Sequence, residues 1–266
     1  MIGLILIDVD GTYVGRGAVV HPDIPLALQE ARDRGVKLAL CTGRPAYSLA
    51  GDYARAVAPN GLHIFQNGAA VNAADGTAAH IEELPRDAYA GMVELSRADA
   101  RPLEVYTARA LHIERQDALT RRHAELLGTE PVVTDLLTLP DPPVRVQWVV
   151  RMDDLPEVQE KTARFPDLEL NWAQQMDMAD VAFASVTRRG TSKVSAAEWL
   201  AGHYGLTLQA VAMVGDGLGD LEIVRAAGFG IAMGNAEPEV KAAAKAVVGD
   251  VNDGGLAEAV RLALRA

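Results

Sequence analysis

The chain has 266 residues, 49% hydrophobic and 5% aromatic, with a formal charge of -11. That length suits one large and one small domain built on aliphatic cores. The acidic balance excludes nucleic acid and anionic membrane as partners, because both need basic surface, but leaves room for an anionic substrate met by local positive charge and a metal. A single cysteine, Cys41, excludes an internal disulfide, and no leader peptide or long apolar span is visible, so the expectation is a cytoplasmic protein.

Residues 2–7 form an apolar run of strand length that stops at Asp8-Val9-Asp10-Gly11-Thr12. This reads as a buried parallel strand delivering polar groups to its carboxyl edge, where open α/β sheets carry their chemistry. Two carboxylates so close need a cation or a shared proton. A glycine-rich loop over 12–20 follows, and a leading proline with helical apolar spacing predicts a helix over 22–34, ended by Gly35. A second apolar strand, 36–41, breaks into Thr42-Gly43-Arg44-Pro45 and a helix over 45–57. A short strand at 62–66 leads to Asn67-Gly68, and 71–81, centred on Asp75-Gly76, reads as a small β-hairpin.

From residue 84 the character changes, with prolines at 85, 102, 131, 140, 142, 143, 156 and 166 punctuating short elements of both kinds. The pattern predicts a helix at 87–98, strands at 103–107 and 111–114, a helix at 117–127, a strand at 144–152, a helix at 155–164, and strands at 168–172 and 181–186. Trp148 and Trp172 fall in these strands and read as core. Parallel-sheet logic then returns: helix 192–204, strand 210–214 running into Asp216-Gly217, helix 221–227, strand 230–233, and helices at 238–246 and 256–264. An α/β core over 1–84 and 186–266 with an inserted α+β domain over 85–185 follows, and the active site is expected where the two face each other.

Four polar clusters fall at or after core strand ends: Asp8, Asp10 and Thr12; Thr42, Gly43 and Arg44; Lys193; and Asp216 with Asp220. A parallel sheet brings them to one rim, where carboxylates in that number need a hard divalent cation with oxygen ligands, Mg²⁺ being the economical choice. Asp8, Asp216 and a backbone carbonyl near Asp10 are the donors this selects. Lys193 supplies a point charge, and the Thr42 hydroxyl with amides around Gly11 and Gly43 suits phosphate oxygens. Asp8 beside a metal fits a nucleophile, and Asp10 fits an acid and base that protonates the leaving alkoxide and deprotonates water. Arg44 has two readings, a substrate contact or a partner for a core carboxylate. Asp220 likewise is either a helix-start residue or a support for the metal and Lys193. Cys41 reads as a buried small hydrophobe, and six scattered histidines show no zinc-ligand spacing.

Asp8-Val9-Asp10-Gly11-Thr12, Thr42-Gly43-Arg44, Ser192-Lys193 and Gly215-Asp216-Gly217 with Asp220 resemble the four motifs of the haloacid dehalogenase superfamily. The inserted middle domain, Asn67-Gly68-Ala69 and Asp253-Gly254-Gly255 resemble its Cof-like subclass IIB phosphatases, over essentially the whole chain. The resemblance implies a Rossmann-like core, a large cap that selects substrate, and Mg²⁺-dependent phosphatase chemistry on a small metabolite such as a sugar phosphate. It implies Asp8 as nucleophile, Asp10 as acid and base, and phosphate or substrate contacts from Gly11, Thr12, Thr42, Gly43, Arg44 and Lys193. It also implies metal binding by Asp8, the Asp10 carbonyl and Asp216. Two positions depart: Gly219 stands where the family has Asn, and Tyr13 where it commonly has Leu. A phosphomutase of the same subclass and a non-catalytic binder of phosphorylated metabolites are the alternatives. No pattern encodes the oligomeric state.

Overall fold

The computed structural model describes residues 1–15, 17, 19–175 and 178–266. In chain order the first elements are β1 (Leu4–Ile7), α1 (Ile24–Asp33), β2 (Lys37–Leu40), α2 (Leu49–Val57), β3 (Leu62–Phe65), β4 (Ala70–Ala73) and β5 (Ala78–Ile81). The middle elements are α3 (Arg86–Ala98), β6 (Glu104–Tyr106), β7 (Leu111–Ile113), α4 (Ala118–Leu127), β8 (Val132–Val133), β9 (Arg145–Arg151), α5 (Leu155–Thr162), β10 (Leu168–Gln175) and β11 (Met178–Arg188). The last are α6 (Lys193–His203), β12 (Val211–Gly215), α7 (Leu221–Ala226), β13 (Phe229–Ala232), α8 (Pro238–Ala243), β14 (Ala246–Val247) and α9 (Gly255–Ala263). The chain divides into two compact units, one of residues 1–44, 50–79 and 192–266, the other of 45–49 and 80–191.

The first unit is organised on a parallel sheet in the order β14-β13-β12-β1-β2. β1 is central and all four of its side chains are fully buried, which explains an apolar run without alternation. Each such Leu or Ile stabilises the fold by about 1.5–3 kcal/mol relative to exposure. The chain leaves β1 for β2 on one side and comes back to β12 on the other, so the carboxyl ends of β1 and β12 flank a topological switch point. Register pairs Ile7 with Val214, so Asp8 and, one residue further on, Asp216 leave the sheet at the same edge. Helix α1 turns Ile24, Ala27, Leu28 and Ala31 inward at helical spacing and packs on α9. A three-stranded sheet, β3-β4-β5, adjoins β2 through a parallel bridge between Cys41 and Ile64. There the buried His63 accepts the Leu40 N–H at Nδ1 (3.0 Å), while its Nε2 meets the Ala58 carbonyl at 3.0 Å.

The second unit holds a six-stranded sheet, β10-β11-β9-β6-β7-β8, antiparallel but for the β7–β8 pair. Alternation sorts its faces: Val146, Trp148, Val150, Ala182, Ala184 and Val186 share a core with α3 and α5, while Val149, Val181 and Phe183 lie against Leu119 and Leu126 of α4. An Asp117/Thr120 capping box starts α4.

Several expectations need correction. The helix expected from residue 45 begins at Leu49, because Ser48 turns back onto the Pro45 carbonyl and Tyr47 packs with Tyr106, Leu111 and Leu127 of the second unit. The helix expected over 238–246 ends at Ala243, and Ala246–Val247 becomes the edge strand β14. Trp172 is 45% exposed, since β10 is an edge strand, whereas Trp148 is core. Of the loop expected over 12–20, Arg16 and Ala18 lie outside the described residues. Among the described residues, no helix is long and apolar enough to cross a membrane.

Candidate active site

Asp8 follows β1 directly, and its carboxylate is nearly inaccessible. Lys193, the first residue of α6, reaches Asp8 Oδ1 at 2.7 Å and Asp220 Oδ1 at 2.6 Å through its Nζ. Ser192 caps that helix in a reciprocal box with Ser195, which fixes where Lys193 leaves the backbone. Burial disfavours the ammonium, but the charges of Asp220 and Asp8 outweigh it and hold Lys193 well above the ordinary lysine value. Burial, then the Asp220 charge, pushes the Asp8 carboxyl up against the opposing pull of Lys193. Asp220 is fully engaged: Oδ1 takes Lys193 while Oδ2 accepts the Asp216 and Gly217 N–H groups at 3.1 and 3.2 Å. Gly215 has to be glycine, because a Cβ there would lie 2.6 Å from the Asp220 carboxylate.

Asp216 accepts the Thr12 hydroxyl at Oδ1 (2.7 Å), and burial raises its carboxyl to about 6. Thr12 and Gly11, expected at the phosphate, are otherwise engaged here: Thr12 is fully buried on Asp216, and the Gly11 N–H bonds the Val14 carbonyl at 3.0 Å. Asp10 points outward and is gripped by Arg44 Nε and Nη2 at 2.8 and 2.6 Å, a bidentate pair that raises the guanidinium value. Thr42 is buried and its Oγ1 accepts the Arg44 N–H at 3.2 Å. Its backbone is tied to the 62–68 segment by Thr42 N to the Ile64 carbonyl and Asn67 N to the Thr42 carbonyl, both 3.0 Å. Gly43 leaves space for Asn67, whose Oδ1 would lie 2.9 Å from a Cβ there. Tyr13 is a packed loop residue whose ring meets that of Tyr53 at a tilt of 53° with centroids 5.4 Å apart, and Cys41 is buried with its thiol pushed up to about 12 by desolvation.

The first unit therefore brings together Asp8, Lys193, Asp216 and Asp220, and joins Asp10 to Arg44 beside Thr42. Oxygens of Asp8, Asp216 and Asp220 lie within 4.8 Å of one another, a hard-donor set suited to Mg²⁺ or a similar ion. Because Asp220 is saturated by Lys193 and two amides, Asp8 and Asp216 are the members with capacity to spare. Sequence reasoning missed Asn235, which donates to the Gly11 carbonyl at 2.8 Å. The available signal was its place just after Gly234 at the end of a core strand, the same location that flagged the other clusters.

A family model described as haloacid dehalogenase-like hydrolase matches residues 5–260. The chain is 28% identical over 275 residues to the pyridoxal phosphate phosphatase YbhA of Escherichia coli, covering 96% of each protein. It is 26% identical to the putative phosphatase YxeH of Bacillus subtilis, over 98% of this chain and 97% of that one. Among solved structures, BT1666 of Bacteroides thetaiotaomicron, a phosphatase of the same superfamily, superposes with a TM-score of 0.82 at 25% identity, covering 99% of this chain and 95% of that one. The chain belongs to the haloacid dehalogenase-like hydrolase family, among its Cof-like phosphatases.

Proposed function

We propose that this chain is a cytoplasmic, Mg²⁺-dependent phosphatase that releases phosphate from a small phosphorylated metabolite of the sugar-phosphate kind through an aspartyl-phosphate on Asp8. The observation that carries the reading is the buried Asp8 carboxylate at the end of the central strand, with Lys193 on one oxygen and Asp216 alongside. Asp8 attacks phosphorus, forming the Asp8 O–P bond as the ester P–O bond breaks, and Asp10 donates a proton to the departing alkoxide. Water then attacks the phosphorus, Asp10 takes its proton, and Asp8 is regenerated with release of inorganic phosphate. Asp8, Asp216 and the Asp10 carbonyl would hold Mg²⁺, which would supply charge neutralisation for the phosphoryl oxygens.

Lys193 adds positive charge beside Asp8, and Asp220 shares its ammonium. Thr42 and Gly43 contact the phosphoryl group. Asp10 reaches the leaving group only after leaving Arg44, so Arg44 holds the unliganded acid and is free to meet substrate once Asp10 has turned. Residues 85–185 choose the leaving group. Pyridoxal phosphate, the substrate named for one relative, supports a small phosphate ester as the class.

The test is release of inorganic phosphate from a panel of phosphorylated metabolites, with and without Mg²⁺, by the wild type and Asp8→Asn. Turnover by wild type alone, and only with Mg²⁺, supports the reading. Turnover by Asp8→Asn refutes the nucleophile, and tight binding without release makes the chain a binder instead of an enzyme.

A further inference from the structure

Asn235 follows β13 and is exposed, yet both ends of its carboxamide are committed to backbone. Nδ2 donates to the Gly11 carbonyl at 2.8 Å and lies 3.4 Å from Asp216 Oδ2, while Oδ1 accepts the Val251 N–H at 2.9 Å. Because a carbonyl only accepts and an N–H only donates, these partners fix which end of the amide is which. The Val251 N–H is presented by a close-packed turn over 249–255. Gly234 N–H donates to the Gly249 carbonyl at 2.9 Å, and a Cβ on Gly255 would lie 2.0 Å from that same carbonyl oxygen. The Asp253-Gly254-Gly255 run, for which the catalytic reading has no use, belongs to the turn that seats Asn235.

At the other end, Gly11 is left-handed (φ +81°), and a Cβ there would lie 2.2 Å from Asp216 Oδ2. Its N–H, in the same planar peptide as the Asp10 carbonyl, is held by Val14, and its own carbonyl, on the following peptide, is held by Asn235, so the peptides on both sides of Gly11 are pinned next to the Asp10 carbonyl. Asp216 has Thr12 on Oδ1 and Asn235 beside Oδ2. Position 219 adds nothing, since a Cβ on Gly219 would meet no atom within 4 Å.

We infer that Asn235 is a positioning residue for the cation site, fixing the Gly11 peptide and the Asp216 carboxylate in the arrangement that a divalent ion takes up. This rests on the proposed roles of Asp8, the Asp10 carbonyl and Asp216. The experiment titrates Mn²⁺ into metal-free protein, followed by electron paramagnetic resonance, for the wild type, Asp216→Ala, Asn235→Ala and Val251→Pro. Val251→Pro keeps Asn235 and removes the N–H that seats it, at the first residue of a 3-10 turn where proline is tolerated. Asn235→Ala weakens Mn²⁺ binding by about 10- to 100-fold, as loss of a partner that orients metal ligands does, and Val251→Pro weakens it in the same direction. The Mg²⁺ concentration needed for activity shifts in parallel, while KM for the phosphate ester at saturating Mg²⁺ stays near the wild-type value. Wild-type affinity in both variants overturns the inference, even if their melting temperatures fall, because that pattern belongs to a purely structural brace. Failure of the underlying reading looks different: the wild type then binds no Mn²⁺, or Asp216→Ala binds it equally well.

Discussion

Lys193 is flanked by two carboxylates, and the three groups are almost wholly withdrawn from water. A buried pair is weak evidence of net stabilisation, but removing one member leaves uncompensated charge. Lys193→Met therefore costs about 3–5 kcal/mol by urea unfolding at pH 7, besides abolishing turnover. Arg44 and Asp10 form the contrasting pair, partly exposed at 25% and 58%, so solvent screens them. Arg44→Ala changes stability by less than about 1 kcal/mol while lowering kcat/KM by up to about 100-fold, because the substrate loses the contact that Arg44 offers once Asp10 has turned away. If unfolding midpoints and kinetic constants moved together in both variants, the division between a structural and a catalytic ion pair would be wrong. At this scale the sequence was informative about which residues matter and silent about some pairings. The separation of Asp8 and Asp10 into a buried and an exposed carboxylate was not legible, because residues two apart share a strand face and it is the turn after β1 that carries Asp10 outward to Arg44. Asn235 was missed although its place after a core strand was a signal, because its partners Gly11 and Val251 are backbone groups, the first 224 residues away.

Among the elements, β3 carries a pH-sensitive support. Burial depresses His63 to about 4 from an ordinary 6.5, and its neutral ring closes the Leu40 N–H. The unfolded chain protonates near 6.5 while the folded chain resists until about 4, so this contribution is complete above pH 6.5 and is lost as pH falls toward 4. The loss amounts to about 2 kcal/mol between pH 7 and pH 5. Denaturant midpoints at the two pH values measure it, and a His63→Gln variant should show a smaller drop over the same window. Next along the chain, Gln66 and Asn67 are left-handed at φ 54° and 57° and lead into Gly68 at φ +100°. A Cβ on Gly68 would lie 2.1 Å from the Ser192 carbonyl oxygen, against the start of α6. Gly68→Ala thus combines strain with overpacking and costs about 3 kcal/mol or more, read as a lowered melting temperature. Hydrophobic spacing located most of these elements, because strands such as β1 and helices such as α1 announce their buried faces. It misplaced the start of α2 for a tertiary reason: Tyr47 is drawn into an apolar cluster with Tyr106, Leu111 and Leu127, which no local rule encodes. It misjudged Trp172 because alternation says which face a residue takes but not whether another element covers that face.

For the molecule as a whole, the change from parallel-sheet pattern to short mixed elements and back was legible because the strands of the two sheets carry different residue patterns. β1 is apolar throughout, whereas β9 sets Val146, Trp148 and Val150 on one face and Arg145, Gln147 and Val149 on the other, both faces buried. The second unit also has its own core around Trp148, Met92 and Val158. A fragment of residues 80–191 is accordingly expected to unfold cooperatively in urea by circular dichroism, and a featureless, gradual loss of signal would show that the core is insufficient alone. Without Tyr47 the fragment is less stable than the same segment in the intact chain. The burial of Cys41 has a practical consequence for following such behaviour. The only thiol in the sequence is fully enclosed and pushed up to about 12, so native protein offers alkylating dyes and spin labels no target. A cysteine introduced at any exposed position will therefore take a label alone, and site-specific spectroscopy can be done without first building a cysteine-free background.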